Sequence, residues 1–193
     1  MEKGMKTAFL IIDMQRGFID PSSSLCMKTA ADIVPACAKA MDAARRAGIP
    51  VFHVRREYRA DGSDVEFTRK ARWEAGGRPL APGSDTAQPP EELREKAGEY
   101  VIIKPRWSAF FGTELDLILR RLGVGQVIIT GTTTPNCIRA TCYDAIALDY
   151  GAVLLEDCCS AVTEEIQRVN MADMRNIGAE IVSSAEWEKS LED

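Results

Sequence analysis

Long apolar stretches are missing from this chain. No run approaches the roughly 20 residues that a membrane-spanning helix needs, which argues against a bilayer-crossing segment. An excess of positive charge is missing too. Lys and Arg number 24 against 29 Asp and Glu, giving a net charge of −5. The cations are scattered rather than striped, so no nucleic-acid partner and no anionic membrane surface is expected. Met1 to Lys6 is polar and charged, and the apolar run behind it, Ala8 to Ile12, is too short for the core of a secretory signal. A cytosolic location is the expectation. Cys-x-x-Cys spacing is absent, and six cysteines in 193 residues do not make a disulfide scaffold. In a reducing compartment they read as small buried hydrophobes, with room for one reactive member. No internal repeat or low-complexity tract stands out.

What is present suits one soluble domain. Apolar residues make up 46% of the chain, enough for a core, and the 27% that are charged can cover its surface. Apolar runs alternate with helical patterns, the signature of a parallel sheet covered on both faces. Ala8 to Ile12 is unbroken rather than alternating, as in a central strand buried on both sides. Pro50 to Val54, Tyr100 to Ile103, Gln126 to Thr130, Ala152 to Leu155 and Glu180 to Val182 read as five further strands. Asp32 to Ala47 reads as a helix stopped by Gly48. Thr113-Glu-Leu-Asp116 resembles a capping box opening a helix that ends before Gly123. Thr134 can cap a helix with Pro135 in its first position, running towards Gly151. Thr163 to Asn176 forms the last long helix, closed by Gly178. From Arg56 to Gly98 the chain is charged and rich in Pro and Gly, with a short helix at Pro90 to Ala97 as its regular element. A connection of that length is expected to be a lid or an interface, or to lack order.

In an open parallel sheet, ligands bind beyond the carboxyl ends of the strands. Asp13 ends the first strand, Lys104 ends the third, and the loop after the fourth delivers Cys137 into the first turn of a helix. A carboxylate, an ammonium and a thiol thus fall on one edge. A helix start and a nearby Lys104 would lower the thiol pKa. Asp13 could then take the thiol proton and return it to a leaving amine. The loop Gly131-Thr-Thr-Thr-Pro-Asn136 offers backbone N–H groups where an oxyanion would develop. Each residue also has a plainer reading: Asp13 as a cap, Lys104 as a solvated charge, Cys137 as a packed small side chain. Their coincidence on one edge favours the chemical one.

These residues also bring a family into view. Leu10-Ile-Ile-Asp13-Met-Gln15, followed by Phe18, resembles the opening motif of the isochorismatase-like cysteine hydrolases. Lys104-Pro-Arg-Trp-Ser-Ala-Phe-Phe-Gly-Thr113 with Leu115-Asp116 is similar to the family's lysine segment. Thr130-Gly-Thr-Thr-Thr-Pro-Asn-Cys137, then Asp144-Ala145 and Glu156-Asp157, resembles its nucleophile segment and the strand beyond. The resemblance implies a three-layer α/β/α Rossmann-like sandwich with a six-stranded parallel sheet, and an Asp13–Lys104–Cys137 triad. It also implies a cis peptide between Thr132 and Thr133, with the N–H groups of Thr133 and Cys137 as oxyanion hole. Homo-oligomers, dimers or tetramers, are typical of the family.

The branch can be narrowed. Related nicotinamidases carry an Asp-x-His-x-x-His metal cluster, whereas this chain has one histidine, His53, inside the apolar Val51-Phe-His-Val54. His53 reads as a packed strand residue rather than a substrate contact, and no metal or other cofactor is expected. Isochorismatases cleave a vinyl ether and, by resemblance, do not depend on a cysteine here. Cys137 therefore points to C–N hydrolysis of a small amide, carbamoyl or ureido compound through a thioester. The Gly131 to Thr141 stretch looks most like the branch acting on N-carbamoyl compounds and maleamate. A vinyl ether hydrolase, a non-catalytic interaction domain and a thiol redox protein using Cys158-Cys159 are the alternatives. Phe18, Trp107 and Phe110 can form an apolar substrate wall or belong to the core. Arg106, Arg139 or an arginine of the long loop (Arg55, Arg56, Arg69, Arg72) can bind a substrate carboxylate, or serve at the surface or between subunits. Trp73 can close over the site of its own chain or of a neighbour. Cys142, five residues beyond Cys137, is expected in the core.

Overall fold

The computed structural model of the protein describes residues 5–192. Six strands, β1 (Lys6–Ile12), β2 (Val51–Arg56), β3 (Tyr100–Lys104), β4 (Val124–Thr132), β5 (Gly151–Ser160) and β6 (Glu180–Val182), form one sheet. Its order is β3-β2-β1-β4-β5-β6 and every neighbouring pair is parallel. The direction of winding reverses between β1 and β4, so the switch point where α/β sheets open a crevice lies between these two strands.

Unbroken apolar strands are buried on both faces because alternate side chains feed two cores. Ala8, Leu10 and Ile12 of β1 enter a core shared with helices α4 (Leu115–Leu122), α5 (Arg139–Ala147) and α6 (Glu164–Asn176). Phe9 and Ile11 enter the opposite core, with α2 (Val34–Arg46) and α7 (Ser184–Ser190). Cys158 and Cys159 follow the same rule, one in each core, and both are free thiols. Cys142 is fully buried, as expected. Among the described residues, no helix is long and apolar enough to cross a membrane.

Several local expectations need correcting. Leu115 opens α4 after Glu114, and Asp116 bonds the Tyr150 hydroxyl and pairs with Arg120 instead of completing a capping box. Thr134 is not a cap: its hydroxyl sits 2.6 Å from Gln167 Oε1 and 3.1 Å from the Ser160 carbonyl. The Thr134–Ile138 segment is a π-helical turn, and α5 starts only at Arg139. Pro90 to Ala97 holds a single 3₁₀ turn, Glu91–Leu93. Two short helices lay hidden in polar sequence, α1 (Arg16–Ile19) and α3 (Lys70–Ala75). A third, α7, is opened by a capping box of Ser183 and Glu186.

The long connection has a core of its own. Tyr58, Val65, Trp73 and Leu80 pack with Phe18 and Leu25 from the segment after β1. Trp73 is fully buried, donates from Nε1 to the Pro79 carbonyl at 2.8 Å, and meets Tyr58 edge-on at 5.9 Å.

Candidate active site

Asp13 follows β1 directly, Arg56 and Lys104 are the last residues of β2 and β3, and Cys137 lies in the π-helical turn after β4. Four adjacent strands thus deliver four polar or charged side chains to one edge. Asp13 has a left-handed backbone (φ 54°), its N–H held by the Val54 carbonyl at 2.9 Å. Its Oδ2 lies 2.8 Å from Lys104 Nζ, and both side chains are buried. Lys104 Nζ also contacts the Arg106 carbonyl at 3.0 Å and Cys137 Sγ at 3.5 Å. Asp13 Oδ1 is buried and meets no conventional hydrogen-bond geometry among the described residues, while Asp13 is near enough to the Cys137 thiol to favour its protonated form.

The turn that carries Cys137 is anchored from several sides. The N–H groups of Asn136 and Ile138 return to the Thr133 carbonyl at 3.0 and 3.3 Å. The Thr141 hydroxyl donates to the Cys137 carbonyl at 2.7 Å and accepts the Ala109 N–H at 3.0 Å. That single hydroxyl ties the Cys137 turn to the segment following Lys104. The Thr132–Thr133 peptide is cis.

Burial is the largest influence on the Cys137 thiol and pushes its pKa up, as does the negative charge of Asp13, while Lys104 and Arg56 pull it down. The net direction is upward. A helix start and Lys104 together were expected to lower it. The difference has a physical cause: the thiol is 6% exposed, its turn is not the start of a regular α-helix, and a carboxylate faces it.

A cavity of about 300 Å³ opens onto these groups, lined by Asp13, Cys137, Thr133, Asn136, Phe18 and Trp107, with Arg69 and Arg72 at its wall. Phe18 and Trp107, the two aromatic side chains among these, line the cavity. Phe110 does not: it stacks on Tyr150 at 5.7 Å inside the core. Trp73 lies beneath the cavity in the small core already described and does not line it. Arg106 turns away to the Asp64 carbonyl at 2.6 Å. Arg139 pairs with Asp173 and Asn170 on α6. Arg55 pairs with Glu95. His53 is buried in β2, with Nε2 2.8 Å from Glu99 Oε2. Among the described residues, no group of three or more His, Cys, Asp or Glu side chains is arranged to hold a metal ion. A larger depression of about 600 Å³, beside α6, contains neither Asp13, Lys104 nor Cys137.

Arg55 and Arg56, expected in the long loop, both belong to β2. Arg56 ends the strand, is fully buried, and points Nη2 at Cys137 Sγ from 3.7 Å. No local signal marks it: in Val54-Arg55-Arg56 two charges follow the apolar run, as at an ordinary solvent-facing strand end.

Comparison with known proteins identifies the chain's relatives. The isochorismatase domain profile matches residues 7–186. A probable inactive nicotinamidase of Arabidopsis thaliana is 38% identical, with 98% of each chain covered. A ureidoacrylate amidohydrolase of Yersinia enterocolitica is 32% identical over 78% of this chain and 74% of its own. Among solved structures, an isochorismatase family protein of Desulfovibrio vulgaris superposes with a TM-score of 0.93 at 41% identity, covering 98% of this chain and 100% of that one. N-carbamoylsarcosine amidase of Thermoplasma acidophilum gives 0.78 at 30% identity, over 93% and 97%. From its six parallel strands to the motifs at their carboxyl ends, the chain belongs to the isochorismatase-like hydrolase family.

Proposed function

We propose that the protein is a cysteine-dependent amidohydrolase that cleaves a C–N bond of a small carboxylate-bearing amide, carbamoyl or ureido compound. One observation carries the reading. Cys137 Sγ lies 3.5 Å from Lys104 Nζ, which holds Asp13 at 2.8 Å, and Cys137 and Asp13 both face a cavity sized for a small molecule. Asp13 Oδ1 takes the proton from Cys137 Sγ, and the sulfur lone pair attacks the substrate carbonyl carbon. The electron pair of the C=O bond moves onto oxygen, where the N–H groups of Thr133 and Cys137 receive it. As the carbonyl re-forms, the C–N bond breaks and the nitrogen leaves with the proton held by Asp13. A water molecule, deprotonated by Asp13, then attacks the thioester carbonyl; the C–S bond breaks, the acid product leaves, and the departing sulfur takes the proton back from Asp13.

The carboxylate is argued from charge. Arg69 and Arg72 are the cations on the cavity wall beyond Asp13 and Cys137, and guanidinium groups suit planar anions. The names of the ureidoacrylate and N-carbamoylsarcosine relatives support the same class. A second reading, a fold retained for interaction, draws on the Arabidopsis relative described as inactive. The two separate in an ammonia-release screen over carbamoyl amino acids, ureido acids and small amides, run with wild type and Cys137→Ala. Release by wild type that falls by 10³-fold or more in the variant is expected. An active Cys137→Ala protein refutes the nucleophile, and an inert wild type favours the interaction domain.

A further inference from the structure

Beyond the three residues of the proposed reaction, a buried arginine faces the same sulfur. Arg56 is fully buried, as is Tyr58, and Glu66 is nearly so. Arg56 Nη1 pairs with Glu66 and lies 3.1 Å from the Tyr58 hydroxyl. Tyr58 donates to Glu66 Oε2 at 2.7 Å and also accepts from Arg69 Nη1 at 3.0 Å. Arg56 Nη2 has Cys137 Sγ as its neighbour at 3.7 Å, and Arg56 Nε is buried without a hydrogen-bond partner among the described residues. The backbone of Arg56 is clamped as firmly. Gln15 Oε1 accepts its N–H at 2.8 Å, while Gln15 Nε2 donates to its carbonyl at 2.8 Å and to the Ala87 carbonyl at 2.9 Å. Gln15 sits two residues beyond Asp13, so one short segment fixes both the carboxylate and the guanidinium against the sulfur.

A plain stability role accounts poorly for this arrangement. A buried ion pair is often no better for stability than apolar residues of the same size, and an orphaned Nε adds to its cost. An arginine restrained by Glu66, Tyr58 and Gln15 and aimed at a nucleophile has an electrostatic use. We infer that Arg56 is a positioning and charge-setting residue for Cys137, and that Glu66 and Tyr58 hold its guanidinium in place while the sulfur carries negative charge. The inference rests on Cys137 being the nucleophile. As the Sγ–H bond breaks and the proton passes to Asp13, the negative charge on sulfur faces two cations, Lys104 on one side and Arg56 on the other. Burial and Asp13 leave the Cys137 pKa raised, and Arg56 is one of the two groups that pull it down against them. The charged groups around the sulfur are thus Asp13 after β1, Arg56 of β2 and Lys104 of β3, with Glu66 and Arg69 behind Arg56. Arg139 on α5 is turned outward to Asp173. The link from Arg56 through Tyr58 to Arg69 also joins the nucleophile to a cation of the cavity wall.

The test is the pH dependence of Cys137 alkylation by iodoacetamide, followed by peptide mass spectrometry, which needs no substrate. The variants are Arg56→Lys, Arg56→Met, Glu66→Gln and the double variant Arg56→Met with Glu66→Gln, which leaves no unpaired buried charge. The double variant should shift the alkylation midpoint upward by about one pH unit, a roughly tenfold slower reaction at neutral pH. Arg56→Lys should recover most of the loss, and Glu66→Gln should give a smaller shift. A double variant that is folded, by circular dichroism and thermal melting, and keeps the wild-type profile overturns the inference. If wild-type Cys137 is not alkylated in preference to the other cysteines, the nucleophile reading fails instead. Should Arg56→Met not fold, the double and Arg56→Lys variants still decide between these outcomes.

Discussion

A thiol at 6% exposure that faces a carboxylate keeps its proton, because lost hydration and a neighbouring negative charge both penalise the thiolate. In the proposed mechanism, Asp13 therefore has to act as a base during the reaction rather than inherit a thiolate already formed. The other informative residues at this scale are Glu99 and His53. Burial pushes the Glu99 carboxyl up, but the Arg45 guanidinium, the Lys96 N–H and His53 outweigh it and hold its pKa at about 2. Burial lowers the pKa of His53 despite Glu99 beside it. The signs combine. A carboxylate with a depressed folded pKa stabilises above its ordinary 4.5 and loses that contribution as pH falls towards about 2. A histidine held neutral loses stability once pH falls below its ordinary 6.5. Stability should therefore decline on acidification from about pH 6.5. Glu99→Gln should cost about 1 kcal/mol at neutral pH, after allowance for solvent screening, and flatten the decline below pH 4.5. Urea midpoints measured at several pH values check this, and an unchanged slope in the variant would count against it.

At the scale of elements, strands were easier to read than helices. Each strand that points at the site is an apolar run ended by a polar or charged residue, so Asp13 and Lys104 were legible from pattern alone. Arg56 was not, since a charged residue at a strand end ordinarily turns to water and nothing local says that Glu66 and Tyr58 will receive it. The turn after β4 was half legible. Pro135 marks a helix start, but the π-helical spacing of Thr134–Ile138 depends on the Thr133 carbonyl collecting two N–H groups, a matter of three-dimensional geometry. The end of β4 is held by one close approach. A Cβ on Gly131 (φ 113°) would lie 2.1 Å from the Ile12 carbonyl oxygen, in the rung that pairs Ile12 with Gly131. Gly131→Ala should destabilise the protein by about 3 kcal/mol and abolish hydrolysis, since Asp13 and the Cys137 turn depart from that same rung. Thermal melting and turnover measured together check the pairing of the two losses. A stable but inactive variant would show that the displacement stays in the loop.

For the molecule as a whole, the six-stranded parallel architecture was evident in the sequence, whereas the path of residues 57–99 was not. Charge, Pro and Gly made that stretch look open. Its order comes from a few large side chains, Tyr58, Trp73 and Leu80, which bury themselves against Phe18 and Leu25 from a distant part of the chain. Non-local packing of this kind leaves no periodicity to detect. Trp73→Ala should cost about 3–5 kcal/mol locally, raising amide exchange through residues 57–88 far more than in β1 and β4. Hydrogen exchange resolved by mass spectrometry would measure it, and uniform loosening would show instead that this small core and the sheet unfold as one.

Lys104 and Asp13 leave strands that are not neighbours. β2 lies between β3 and β1, so the ammonium crosses two strand widths, about 10 Å, to meet the carboxylate. The sheet acts here as a ruler. Separations among the reactive atoms are graduated by backbone hydrogen bonds and side-chain reach, and hardly at all by the chain that runs between them. Loops around the cavity can lengthen, shorten or change composition while the ruler keeps its marks, so the spacing of Asp13, Arg56 and Lys104 is set apart from the shape of the cavity.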